Sequence, residues 1–65
     1  MEFTTPKMKE TIKQHTGKRV SDDAADTLGE ILETFAGDVS EEALAITKED
    51  DRKTVRAEDI RKALE

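Results

Sequence analysis

Apolar residues at Leu28, Ile31, Leu32, Phe35, Val39, Ala43 and Ile46 recur at gaps of three and four along a stretch with no proline. That spacing marks one face of an α-helix and predicts a helix from Ser21 to about Lys48. Such a helix is roughly 42 Å long at about 1.5 Å per residue. A 65-residue chain has an expected radius of gyration of only about 11 Å. The rod therefore outruns anything the rest of the chain can build around it, while its apolar stripe continues to the end. A second copy resolves the conflict: two such helices cross near their middles, with Leu28, Ile31, Leu32, Phe35 and Val39 as the shared core. The pattern predicts an obligate dimer.

Shorter elements flank the long one. Met1 to Thr4 reads as an arm that orders only if Phe3 finds an apolar seat. Thr5 is placed to cap a helix with Pro6 at its first position, where the missing N–H costs nothing. This helix runs to about Thr16, with Met8, Ile12 and His15 on one face, and Gly17 supplies a left-handed cap. Lys18-Arg19-Val20 is a short extended connection, and Ser21 caps the long helix, with Asp22 and Asp23 complementing the helix dipole. Gly29 and Gly37 each cost on the order of 1 kcal/mol relative to Ala in a helix. They lie about 80° apart around the axis, which leaves open either a weakened exposed face or a close crossing near Gly37. After Lys48-Glu49-Asp50-Asp51 breaks the pattern, Arg52-Lys53-Thr54-Val55 is extended again. A final helix starts at Ala57, capped by Arg56 or Thr54, with Ile60, Ala63 and Leu64 as its apolar face. The expectation is one all-α domain over residues 1–65.

Composition narrows the function. A domain of this size buries only about 60% of its unfolded surface when alone. With no cysteine, disulfides, thiolate metal sites and a Cys nucleophile are excluded, leaving oligomerisation as the source of added stability. No apolar run approaches a membrane span and no signal-peptide core is present, so a soluble intracellular protein is expected. No nucleophile–base pair is evident and His15 has no partner at ligand spacing. Neither catalysis, a metal, a cofactor nor a small-molecule substrate is expected.

The net charge of −5 argues against a nucleic-acid partner until its distribution is read. Residues 7–19 hold Lys7, Lys9, Lys13, Lys18 and Arg19 against Glu10, and residues 52–56 hold Arg52, Lys53 and Arg56 with no acid. Residues 20–51 hold only Lys48 against eleven acids. Two concentrated basic blocks suit a polyanion better than the total suggests.

Arg19-Val20-Ser21-Asp22-Asp23-Ala24 resembles the start of the central helix of archaeal histones. Arg52-Lys53-Thr54-Val55-Arg56-Ala57-Glu58-Asp59-Ile60 resembles their second loop and third helix. The resemblance covers Pro6 to Leu64 and implies the histone fold, a handshake dimer with antiparallel central helices and each first loop beside the partner's second loop. It implies double-stranded DNA as partner, bound without sequence preference and bent or compacted by dimers or tetramers on the chromosome. Lys9, Lys13, Lys18, Arg19, Ser21, Lys53, Thr54 and Arg56 are the implied DNA contacts, with Arg19 in the minor groove. Arg52 and Asp59 match the pair that clamps the second loop to the third helix. Ile46, Glu49, Asp59 and Lys62 match the dimer–dimer bundle.

The chain also departs from that family. Glu49 stands where His is favoured, Lys62 where an apolar residue is, Asp50-Asp51 is acidic beside a DNA-facing loop, and no basic extension follows Glu65. Nucleosome-like polymers are accordingly not expected to form readily. A histone-fold module of a transcription-related complex, pairing with protein rather than DNA, is the competing function. The acidic surface itself reads either as an adaptation to high salt or as a docking or repulsive surface.

Overall fold

A computed structural model describes residues 3–65 as three α-helices joined by irregular segments, with no strand among them. Helix α1 spans Thr5–Thr16, α2 spans Asp22–Glu49 and α3 spans Ala57–Ala63. The order is the short-long-short arrangement of the histone fold. Two compact units divide the chain, Met1–Thr34 and Phe35–Glu65, and α2 contributes its first half to one and its second half to the other.

The first unit begins one residue earlier than expected. Thr4, not Thr5, is the N-cap of α1: its hydroxyl accepts from the Lys7 N–H at 3.4 Å, and Pro6 still falls in the first turn. Gly17 ends the helix with φ 68°, its N–H donating to the Lys13 carbonyl at 2.8 Å, a left-handed conformation that a side chain would strain. Ser21 caps α2 by accepting from the Ala24 N–H at 3.1 Å. Met8 and Ala25 are buried between the two helices. Gly29 is buried as well, and the reason is the chain before α1. A methyl group on Gly29 falls 3.0 Å from the Phe3 carbonyl oxygen and 3.7 Å from Met8 Cγ. Phe3 thus has its apolar seat, half-buried over a helix surface kept bare for it; Met1 and Glu2, the rest of the expected arm, lie outside the described residues. A cost in helix propensity at Gly29 is offset by close packing.

In the second unit α3 meets the last turns of α2, with Ala43, Thr47 and Asp59 buried. The turn after α2 closes through bonds from the Asp51 N–H to the Lys48 carbonyl, 2.9 Å, and from the Arg52 N–H to the Thr47 carbonyl, 3.1 Å. Asp51 takes φ 55° here, the position where helices ordinarily end on glycine. Arg56 occupies the N-cap of α3, but an arginine has no acceptor to offer. The cap is supplied in reverse, by the Asp59 carboxylate accepting from the Arg56 N–H at 2.9 Å.

Candidate nucleic-acid interface

Asp59 is fully buried and organises the second loop. Its Oδ1 accepts from Arg52 Nη2 at 2.6 Å and its Oδ2 from Arg52 Nη1 at 2.9 Å, a bidentate pair. The Thr47 hydroxyl lies 2.8 Å from Oδ2 and 2.9 Å from the Ala43 carbonyl, and the charged acceptor takes the stronger bond. The guanidinium, 16% exposed, also donates to the Thr54 carbonyl at 3.1 Å and to Asp50 Oδ2 at 3.1 Å. One buried carboxylate therefore ties together α2, the loop and the start of α3. The Arg52 guanidinium, followed by the Arg56 N–H, holds the Asp59 carboxyl well below the usual carboxylate range. Reciprocally, Asp59 and then Asp50 raise the Arg52 pKa. Asp50, which reads from the sequence as an acid intruding near a DNA-facing loop, is spent on this arginine.

With Arg52 committed, Lys53 and Thr54 stand exposed at the tip of the loop, and Arg56, also exposed, lies 3.8 Å from Glu58. Asp59 cannot serve both roles the resemblance gives it. Its complete burial and its four bonds to Arg52, Thr47 and Arg56 remove it from any dimer–dimer contact surface. Ile46 is half-buried, and Glu49 and Lys62 are exposed.

In the first unit, Pro6, Lys9, Glu10, Lys13, Arg19 and Val20 line one concavity of about 540 Å³. Cations separated by four and six residues in sequence converge because α1 presents Lys9 and Lys13 on successive turns and Gly17 turns the chain back so that Arg19 faces them. Lys9 is not free: its Nζ lies 3.0 Å from Asp22 Oδ1. Lys13, Lys18, Arg19 and Lys53 form no ion pair among the described residues. Lys18 stands exposed beside the concavity without lining it, and Ser21 directs its oxygen to its own helix. The Lys9–Asp22 pair and the Asp50–Arg52 pair were both missed by sequence reasoning; an Asp two residues before a committed Arg was a usable signal for the second.

The remaining expected residues form a face. Ile31 is 59% and Phe35 56% exposed, while Leu28, Leu32 and Val39 are half-buried. The buried apolar side chains are only Met8, Ala25 and Ala43, so the stripe's largest members remain in water in the single chain. In Phe35–Glu65, Phe35 and Val39 line a second concavity of about 490 Å³ with Ala63, Leu64 and flanking charged residues.

A family model described as histone-like transcription factor (CBF/NF-Y) and archaeal histone matches residues 2–64. The chain belongs to that family. Among curated proteins, the archaeal histone HAN1 of Thermococcus zilligii is 43% identical over 53 residues, which cover 82% of this chain and 79% of that protein. The chain is thus a histone of the archaeal type, an architectural DNA-binding protein of a structural rather than enzymatic family. A role confined to protein pairing in a transcription complex is not favoured. Among the described residues no helix is long and apolar enough to cross a membrane.

Proposed function

We propose that this histone binds double-stranded DNA as a handshake homodimer, without sequence preference, on the archaeal chromosome. The observation that carries the reading is the concavity in which Lys9, Lys13 and Arg19 converge. In the dimer the loop bearing Lys18 and Arg19 lies beside the partner's loop bearing Lys53, Thr54 and Arg56. Arg19 reads minor-groove width, and the lysines and the Thr54 hydroxyl meet phosphates. The exposed Ile31 and Phe35 supply the dimer face. Tetramers, where they form, use Ile46, Glu49 and Lys62 without Asp59; an exposed Glu49–Lys62 pair contributes less than about 1 kcal/mol, so this contact is weak.

The test is a titration on random-sequence duplex at low and high salt. Lys13, Lys18, Arg19 and Lys53 give eight uncommitted cations per dimer, so affinity falls by about 10³–10⁵ between 50 and 200 mM salt. Arg19→Ala weakens binding without preference for any sequence. Absence of binding at 50 mM salt refutes the proposal.

A further inference from the structure

The basic concavity carries its own acids. Glu10 lines it together with Lys9, Lys13 and Arg19. Asp22, in the first turn of α2, reaches Lys9 at 3.0 Å. Glu10 in turn draws Lys7, at 3.8 Å, and lies 3.5 Å from the Gln14 side-chain amide nitrogen. A helix N-terminus ordinarily attracts anions, and at α2 that place is already taken by the carboxylate of Asp22.

We infer that Glu10 and Asp22 limit the DNA affinity of this histone by neutralising its first-loop concavity in the free protein. The inference deepens the proposed DNA-binding reading and rests on it. A phosphate that reaches Lys9 exchanges an existing ion pair for a new one, so Lys9 yields little net attraction. It then lies against the Glu10 carboxylate, which repels it at short range. The two acids act on binding and not on folding: the Lys9–Asp22 pair is largely exposed, and exposed pairs contribute little to stability. Their effect is a histone that lets go of DNA at moderate salt, held mainly by Lys13, Arg19 and the second loop.

The experiment compares the native chain with Glu10→Gln/Asp22→Asn by fluorescence anisotropy on a random-sequence duplex from 50 to 300 mM salt. Glu30→Gln/Glu33→Gln, which removes the same charge from exposed positions on α2 outside the concavity, is the control. Freeing Lys9 in both copies of a dimer steepens the slope of log affinity against log salt by about 1.8. Binding at 50 mM tightens about tenfold or more, and the control stays near the native slope. Glu10→Gln alone keeps the first turn of α2 intact and still tightens binding severalfold, which covers the case in which the double variant folds poorly. A double variant with native slope and affinity, or a control that matches it, overturns the inference while leaving DNA binding in place. Binding by the variant where the native chain shows none supports it. Binding by neither, with native helicity retained in circular dichroism, overturns both this inference and the reading beneath it.

Discussion

Phe35→Ala isolates the dimer face. Phe35 lies near the middle of α2 and is 56% exposed in the single chain. Full burial of such a side chain contributes about 1.5–3 kcal/mol, of which about half remains to be gained in the partner's presence. Both copies lose it, so the variant dimer is weaker by about 2–3 kcal/mol, a rise of about 30–150-fold in its dissociation constant. The surface area supports a missing partner. The chain exposes 5355 Å², whereas a folded monomer of its 7.3 kDa exposes about 4200 Å². The assay is urea unfolding followed by circular dichroism over a hundredfold range of chain concentration. An obligate dimer's midpoint climbs with concentration, and Phe35→Ala moves the whole series to lower urea. A native midpoint independent of concentration, with Phe35→Ala unfolding at the same urea, refutes the reasoning, because trimming a water-exposed ring on a monomer costs almost nothing.

Other consequences follow from single residues. Asp51→Gly relieves the left-handed φ of 55° and stabilises the fold by about 0.5–1 kcal/mol, seen as a rise of a few degrees in Tm. Gly37→Ala, with open space around the new methyl group, also stabilises, by about 0.5–1 kcal/mol. Gly29→Ala gives no such gain, because its methyl crowds the Phe3 carbonyl; thermal melts of the pair separate propensity from packing. Asp59 titrates below its ordinary range when folded, so its stabilising contribution is fully present above about pH 4 and is lost as pH falls toward the folded value. Asp59→Asn therefore lowers Tm at pH 7 and shows a shallower loss between pH 5 and pH 2 than the native chain.

The long helix and its limits were legible because they depend on spacing and on local chemistry. Three- and four-residue gaps from Leu28 to Ile46, a Ser21 oxygen within reach of the Ala24 N–H, and a glycine at position 17 all act over a single turn. Arg52 and Asp59 were legible only through their resemblance to a known pair; their separation of seven residues across a loop and a helix start is set by tertiary structure. What stayed hidden depends on contacts between elements. Nothing in the spacing of Lys9 and Asp22 signals an ion pair, because Gly17 and the loop decide which turn of α1 faces α2. Gly29 reads as a weak point of the helix in sequence, yet the Phe3 backbone packs against it. Thr47, a polar residue among apolar neighbours, is buried because Asp59 gives its hydroxyl a charged acceptor. The candidate DNA site followed the same division: the basic blocks were visible as composition, but the acids that sit among them were not assignable to individual bases.

The DNA-binding unit of this histone is proposed to be a pair of chains, and everything inferred about its loops depends on that pairing. Sedimentation equilibrium on a short random-sequence duplex, titrated with protein at 50 mM salt, tests it most directly. Bound mass is expected to grow in steps of two chains, beginning with one dimer per duplex. Growth in steps of one 7.3 kDa chain, or a duplex that sediments at its own mass throughout, would contradict it.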